Sequence, residues 1–282
     1  MNLKTSLHTH LNQIARLRDP YMASAGHFFV QQYIRAQLSQ SGSVEIHTFK
    51  VGTKVCQNLI LNLPPQSTLK KTNLPPILIG AHYDGVPGSP AADDNATGVA
   101  VLLELARIFR KNPCRHPLRL VAFDMEEYGL LGSTDYARHL QQSGQKLRLM
   151  MSLEMLGYCD SRPHTQAYPP PLEKFYPSTG DFIALIGNWR TWRDLITISR
   201  HIRQVGVKCE WLPVPGTGKL IHATRQSDHA PFWDFGYPAI MVTDTAFMRN
   251  PHYHRPSDTI DTLDLDFLTG VCQGLERGIR KL

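Results

Sequence analysis

The sequence predicts an α/β fold: a single domain with a mixed, mostly parallel central sheet flanked by helices on both faces. Two observations predict it. Short apolar stretches alternate with longer stretches whose apolar residues recur at helical spacing, which is typical of strands joined by crossover helices. The chain has 282 residues, of which 42% are hydrophobic, and this is enough to bury one large core. Since neither a linker nor an internal repeat divides the sequence, residues 1–282 are predicted to form one domain.

Residues 1–40 are predicted to form two amphipathic helices that pack on the sheet. The apolar face of the first helix consists of Leu7, Leu11, Ile14 and Leu17. The apolar face of the second consists of Phe28, Phe29, Tyr33, Ile34 and Leu38. Because this segment has no apolar run of seven or more residues, we expect no secretory signal.

After the break at residues 41–43, the pattern changes to strands and crossover helices. The predicted strands are VEIHTFKV, CQNLILNLP, PILIGAHYD, LRLVAFDME, LRLMMSLEM, DFIALIG, CEWLPVP and PAIMVTDT. Helices are predicted near residues 95–111, 133–142 and 192–204, and from about residue 263. The proline-rich segment 159–180 is too long for a simple connection, so we expect a functional rim or a mobile loop there.

Composition and charge exclude several classes of function. Thirty Lys and Arg against 24 Asp and Glu give a net charge of +6, but the basic residues are scattered, so we expect no nucleic-acid partner. No apolar run is long enough to span a bilayer, so we expect no membrane partner. The cysteines are odd in number, widely spaced and without a C-x-x-C pair, which predicts a reducing, cytoplasmic environment. They are Cys56, Cys114, Cys159, Cys209 and Cys272.

Polar residues with metal-binding side chains follow several predicted strands. In open parallel sheets, ligands bind beyond the carboxyl ends of the strands, so these positions are candidates for a site. His82 and Asp84 end one strand and point the same way, which places Asp84 to accept the second ring N–H of a metal-bound His82. The alternative is an ordinary strand-end histidine beside an Asp-Gly turn.

Four acidic residues at other element ends are further candidates. Asp94 lies just before a long helix, where it or Asn95 caps the helix, or where Asp94 bridges two cations. Glu126 and Glu127 are adjacent in extended chain and point to opposite sides, so one can bind metal while the other faces substrate; a solvated acidic loop is the alternative. Glu154 interrupts an apolar strand, where a carboxylate is costly unless it is paired or metal-bound.

The last third of the chain adds Asp228, His229, His252 and His254. With thirteen histidines in the chain, any single one is more often a surface residue than a ligand. The combination of these residues with the acidic strand ends is therefore more informative than any member.

Six short motifs occur in one order along the chain: HYDG, AADDNATG, FDMEEYGLLGS, SLEMLGY, SDHAPF and YHRPSDT. In that order they resemble the motifs of the M28 family of zinc aminopeptidases, which are co-catalytic dizinc exopeptidases. The motifs extend from about residue 82 to residue 258. The resemblance implies the zinc-exopeptidase fold, which is of the phosphorylase/hydrolase-like type.

The resemblance also implies two zinc ions per chain. One would be bound by His82, Asp94 and Glu154. The other would be bound by Asp94, Glu127 and His254, so that Asp94 bridges the two ions. Imidazole and carboxylate ligands without a thiolate agree with a catalytic zinc site.

By the same resemblance, Glu126 is the general base. Asp84, from its position beside His82, is predicted to be a second catalytic residue. His252 and His229 are weaker substitutes for His254 as the last ligand. The implied function is a metal-dependent aminopeptidase, whose partners are peptides with a free N-terminus. The sequence carries no prediction of the oligomeric state.

Two alternatives stay open at this point. A glutaminyl cyclase shares the fold and would use similar residues around one zinc to cyclise an N-terminal Gln. A catalytically inactive binding protein could use the same fold to hold an acidic partner. Dimetal enzymes of the M20 type are excluded because they usually insert a second domain between their ligands, for which this chain has no room.

Overall fold

A computed structural model describes residues 2–66 and 74–282 and confirms the predicted α/β fold. The strands are β1 (Val44–Val51), β2 (Lys54–Leu63), β3 (Ile77–His82), β4 (Leu118–Phe123), β5 (Leu149–Glu154), β6 (Phe182–Asn188), β7 (Lys208–Val214) and β8 (Ala239–Thr243). The α-helices are α1 (Leu3–Ile14), α2 (Ser24–Ser39), α3 (Gly98–Lys111), α4 (Leu131–Gln142), α5 (Trp192–Arg203), α6 (His229–Asp234) and α7 (Leu265–Ile279).

The strands form one eight-stranded mixed sheet in the order β1-β2-β4-β3-β5-β8-β6-β7. The four central strands β4, β3, β5 and β8 are parallel to one another. The strands β1 and β2 pair antiparallel at one side, and β6 runs antiparallel to β8 at the other, with β7 parallel to β6. The carboxyl ends of the four central strands therefore meet at one edge of the sheet, where α/β proteins bind ligands.

The central strands are buried on both faces. On β3, Ile77 and Ile79 belong to the larger apolar core, whereas Leu78 points to the other face and joins a second core. The helices α1, α2, α3, α5 and α7 contribute to the larger core, and α4 and α6 contribute to the second. This two-sided burial is the reason why these strands read as continuous apolar runs rather than as alternating ones.

The N-terminal helices differ from the sequence prediction in which side chains they bury. The helix α1 ends at Ile14, so Leu17 lies beyond it and is half exposed. In α2, Phe28 and Phe29 are exposed, although we predicted that they cover the sheet. A helix buries a stripe of residues three or four apart, and the two phenylalanines lie beside that stripe. The buried stripe consists of His27, Val30, Ile34 and Leu38.

The segment 159–180 is tied to its neighbours by hydrogen bonds. The backbone N–H of Ala167 donates to the carbonyl of Met248 at 2.8 Å, and the hydroxyl of Tyr176 donates to the carbonyl of Trp211 at 3.0 Å. The segment thus forms a wall over β7 and over the chain that follows β8. A functional role for this rim stays a prediction.

The helix α6 was not predicted, and its six residues are too few for a periodic pattern. All five cysteines are free, and the cytoplasmic location stays a prediction. Within residues 2–66 and 74–282, no helix combines the length and the apolarity needed to cross a membrane.

The crossing of α5 and α7 gives a stability prediction. A Cβ added at Gly274 would lie 2.7 Å from the Cα of Ile202, which is too close for an unstrained contact. We expect Gly274→Ala to lower the free energy of unfolding by about 1–3 kcal/mol, as overpacked cores do, although alanine favours a helix more than glycine. A urea titration measures the change.

The matched control is Gln273→Ala at the exposed neighbouring position, which should change the free energy of unfolding by less than about 0.5 kcal/mol. Equal stability of the two variants would contradict the close crossing.

Candidate active site

Six of the residues predicted for the site converge at the carboxyl edge of the central strands. Two of them end β3 and β5, two follow β4, one lies in the turn before α3, and one lies in the loop after β8. Since the chain order of these elements is unrelated to their order in the sheet, only the fold brings them together. The six are His82, Asp94, Glu126, Glu127, Glu154 and His254.

The first group of candidate ligands surrounds the ring of His82. Its Nε2 atom lies 3.3 Å from Oδ1 of Asp94 and 3.5 Å from Oε1 of Glu154. All three side chains are buried, and one donor atom from each lies within 4.8 Å of the others. This group has the same three members that the resemblance implied for one metal ion.

The second group surrounds His254. Its Nε2 atom lies 3.0 Å from Oδ2 of Asp94 and 3.2 Å from Oε2 of Glu127. The two oxygens of Asp94 therefore face different histidines, Oδ1 towards His82 and Oδ2 towards His254. A carboxylate placed in this way can bridge two cations.

Glu126 lies beside both groups. Its Oε2 atom is 4.0 Å from Nε2 of His82, and the two residues form a third possible set of donors with Glu127. The side chain of Glu126 lines a cavity of about 550 Å³ that opens from the site. Glu126 and Glu127 thus both face the site and line this cavity, with Glu127 beside His254.

The site concentrates negative charge in a buried space. Burial, together with the carboxylates around it, raises the pKa of Glu126 well above its usual range. Burial and the charge of Asp94 raise the pKa of Glu127 to about 7. Burial opposes protonation of His254, but its bonds to Asp94 and Glu127 outweigh that effect and raise its pKa to about 10. The carboxylates of this site therefore favour any positive charge placed among them.

Several buried atoms of the site have no hydrogen-bond partner among the described residues. They are both ring nitrogens of His82 and Oε1 of Glu127. The carboxylates near His82 lie close to its ring, but not in hydrogen-bond geometry. Buried polar atoms are nearly always paired, so an unpaired Nε2 atom of His82 that lies among carboxylates is typical of a metal ligand. The imidazole and carboxylate donors, with no thiolate, fit divalent ions such as zinc.

Asp84 holds the backbone of the two glutamates. Its Oδ1 atom accepts the N–H of Glu126 at 3.1 Å, and its Oδ2 atom accepts the N–H of Glu127 at 3.2 Å. The predicted contact with His82 is longer, since Nδ1 of His82 lies 3.5 Å from Oδ1 of Asp84. Asp84 therefore fixes the backbone position of both glutamates. The sequence did not predict this role.

The turn that carries Asp94 is fixed by its neighbours. The carboxylate of Asp258 accepts the backbone N–H groups of Asp93 at 2.9 Å and of Asp94 at 3.2 Å. The side chain of Asn95 accepts the N–H of Gly98, the first residue of α3, at 3.1 Å. Asn95 therefore supplies the capping bond of this helix, and the carboxylate of Asp94 is left to face the two histidines.

Arg18 is a structural support of the site that sequence analysis missed. Its guanidinium is fully buried and donates to the carbonyls of Tyr83 at 2.9 Å, Pro90 at 2.7 Å and Ala91 at 2.8 Å. These carbonyls belong to the segment that joins His82 to the turn of Asp94. Burial lowers the pKa of Arg18, which the nearby Asp94 and Asp258 oppose. An Arg-Asp-Pro sequence after a helix was the available signal, but it does not show that the arginine is buried.

The other polar residues of the last third lie outside the two groups. His229 is buried, its Nε2 atom is 2.8 Å from the carbonyl of Thr224, and burial lowers its pKa to about 3. His252 lies with Nδ1 3.0 Å from the hydroxyl of Ser257. Asp228 is fully buried without a hydrogen-bond partner among the described residues, and burial raises its pKa to about 7.

Ser227 is a further residue that sequence analysis missed. Its hydroxyl donates to Oε2 of Glu154 at 2.8 Å, which leaves the other oxygen of Glu154 for His82 and its surroundings. The motif SDHAPF pointed to this segment, but not to the serine.

Comparison with known proteins identifies the family. The profile of "Peptidase family M28" matches residues 58–189 and 196–275. The protein YfbL of Escherichia coli (strain K12), which is uncharacterised, is 39% identical over 214 residues, or 71% of this chain and 65% of YfbL. Aminopeptidase YwaD of Bacillus subtilis (strain 168) is 36% identical over 109 residues, or 38% of this chain and 24% of YwaD. The matches thus span two thirds or less of these curated relatives.

Solved structures share the fold. The Bacillus subtilis zinc aminopeptidase BSAP has a TM-score of 0.61 at 25% identity, covering 82% of this chain and 51% of that one. The Legionella pneumophila LapA aminopeptidase has a TM-score of 0.75 at 20% identity, covering 99% and 71%. An Acidobacteriales bacterium glutaminyl cyclase has a TM-score of 0.72 at 18% identity, covering 99% and 94%. At these lower identities, the last two show the fold alone.

The fold, the order of the motifs along the chain and the family profile agree. Because that profile covers well over half of the 282 residues, this chain belongs to peptidase family M28.

Proposed function

We propose that this protein is a zinc-dependent aminopeptidase that hydrolyses the N-terminal peptide bond of peptides with a free N-terminus. The observation that carries the proposal is the placement of Asp94 between two sets of donors, with one oxygen towards His82 and the other towards His254. The family and the printed names of YwaD and BSAP support the same activity.

Two zinc ions would be held by the residues of the two groups. One would be bound by His82, Asp94 and Glu154, and the other by Asp94, Glu127 and His254. When bound, the ions would make a hydroxide nucleophile available at neutral pH and would polarise the peptide carbonyl.

Glu126 acts as the general base in this proposal. Its carboxylate lies at the wall of the cavity beside His82, and its backbone is fixed by Asp84. Glu126 would take the proton of the attacking water and then donate it to the leaving amine.

The same cavity suits the N-terminal residue of a peptide. In this proposal the α-amino group would lie beside one of the two ions, which would limit cleavage to the N-terminal residue. The rest of the cavity lining is largely apolar and would suit the first side chain of the substrate. The apolar and aromatic lining residues include Ile186, Met241, Phe247, Met248 and Tyr253.

The first prediction separates the base from the metal ligands. Glu126→Gln removes the proton acceptor but keeps the shape of the side chain, so we expect kcat on leucine p-nitroanilide to fall at least about hundredfold. Zinc content, measured by elemental analysis, should stay that of the parent protein. Glu173→Gln, at an exposed position, is the matched control and should keep full activity. A fully active Glu126→Gln protein would remove Glu126 from the mechanism.

The second prediction compares two histidines that lie two residues apart. His254→Ala should lose zinc because it removes a donor that faces Asp94 and Glu127. His252→Ala should keep zinc, since its ring lies against Ser257 instead. Zinc added to the metal-free protein should raise the melting temperature of the His252→Ala protein more than that of the His254→Ala protein. The same zinc content in both variants would refute the assignment of His254.

The third prediction distinguishes peptide hydrolysis from the two alternatives. Free-amine peptides should be cleaved and their N-acetylated forms should not, and a metal chelator should stop the reaction. A glutaminyl cyclase would instead release ammonia from peptides that begin with Gln and leave other peptides intact. Inactivity towards both kinds of peptide, with zinc bound, would favour a binding protein.

A further inference from the structure

A second cavity adjoins the site, and nothing in the function proposed above uses it. Its volume is about 520 Å³, and we call it the outer cavity. Its floor includes Phe182, Ala184 and Ile186, which point to the same face of β6 because they alternate along the strand. One side comes from Leu212 of β7, which pairs with Ile186 in the sheet and shares its face.

The lining of the outer cavity is almost wholly apolar. Glu210 is the one charged residue among its lining residues, and its carboxylate lies 3.5 Å from the guanidinium of Arg203. The charge of Glu210 therefore has a partner outside the cavity. Burial of apolar surface would therefore stabilise a ligand bound in this space, whereas a charge on the ligand would add little to the binding free energy.

The segment 159–180 covers the outer cavity. The rings of Tyr168 and Tyr176 are stacked with 5.9 Å between their centroids, and both line the cavity. Tyr176 is bonded to β7, and the side-chain amide of Gln166 donates to the hydroxyl of Thr245 at 2.9 Å. The cover is thus attached both to the sheet and to the loop that lies beside the candidate metal ligands.

The outer cavity shares a wall with the site cavity. Four residues line both, so the two spaces are separated by no more than single side chains. One of these residues, Ala223, offers only a methyl group. The four shared residues are Ile186, Ala223, Thr245 and Met248.

We propose that the outer cavity receives the distal part of a bulky apolar N-terminal side chain, so that the preferred substrates are peptides that begin with a large aromatic residue rather than with Leu. This inference rests on the proposed function, since it names the substrate class of the same site. On this proposal a leucine side chain would end within the site cavity, whereas an indole or naphthyl ring would extend past Ala223 and bury additional apolar surface.

Leu172 allows the outer cavity to be filled without touching the site. It is partly buried in the covering segment and lines the outer cavity but not the site cavity. Leu172→Trp should lower the ratio of kcat/KM for tryptophan p-nitroanilide to that for leucine p-nitroanilide at least about tenfold, the scale expected when a few buried methylene groups are excluded. Glu173→Trp, the same change at the exposed neighbour, is the matched control and should leave the ratio unchanged.

A substitution on the opposite side also fills the outer cavity. Ala184→Leu adds three carbon atoms at the floor of the outer cavity, on β6 rather than on the covering segment. It should lower the same ratio, so the result does not depend on the covering segment keeping its shape.

Dipeptide amides test the main competing occupant, the side chain of the second residue. If Leu172→Trp slows cleavage of Leu-Trp-amide relative to Leu-Ala-amide, and leaves the ratio for the first residue unchanged, the proposal is wrong. An unchanged ratio in both series also overturns it.

A binding measurement keeps the inference separate from the proposed activity. Calorimetry of 2-naphthalenemethanol with the EDTA-treated protein should show binding that Leu172→Trp abolishes and Glu173→Trp preserves. If no peptide is cleaved, the proposed activity fails, and this titration alone decides whether the outer cavity accepts a bulky aromatic group. Absence of binding in the parent protein would then overturn the inference.

Discussion

The structure is organised around one electrostatic constraint: several carboxylates are held together in a buried space that contains too little positive charge of its own. Burying a carboxylate is costly unless it is paired, and among the described residues the basic side chains that contact the group are His82 and His254. The shared position of Asp94 between these histidines concentrates the charge further. The pair of divalent ions in the proposed function would satisfy this constraint, and the unpaired nitrogens of His82 agree with that proposal.

The rest of the fold keeps these side chains in place against their mutual repulsion. Parallel central strands bring their carboxyl ends to one edge, and the supporting residues then act on the backbone instead of on the donor atoms. Asp84 binds the N–H groups of the two glutamates, Asp258 binds those of the turn before α3, and Arg18 binds the carbonyls in between. Fixing the backbone leaves the carboxylate and imidazole atoms free for ligands. Hydrogen bonds from residues that surround the metal ligands commonly orient those ligands.

The sequence predicted the strand ends well, because a polar side chain after a buried apolar run is visible in one dimension. His82, Glu154 and the glutamate pair after β4 were found in this way, and the order of the motifs suggested how they combine. The sequence could not reveal that Arg18 is buried, because a lone arginine is usually exposed and its partners here are backbone carbonyls distant in the chain. The prediction that Phe28 and Phe29 are buried was wrong for a related reason. The apolar character of a residue does not show on which side of a helix it lies relative to the core. The sequence also could not reveal the outer cavity, because β6, β7 and segment 159–180 form it only when they come together in the fold.

The central claim, that this charge cluster holds a pair of metal ions, is tested most directly by anomalous diffraction from a crystal grown with zinc, recorded on both sides of the zinc absorption edge. The account predicts two anomalous peaks about 3.5–4 Å apart, one on each side of Asp94, the first beside His82 and Glu154 and the second beside Glu127 and His254. A single peak, or peaks that Asp94 does not bridge, would contradict it.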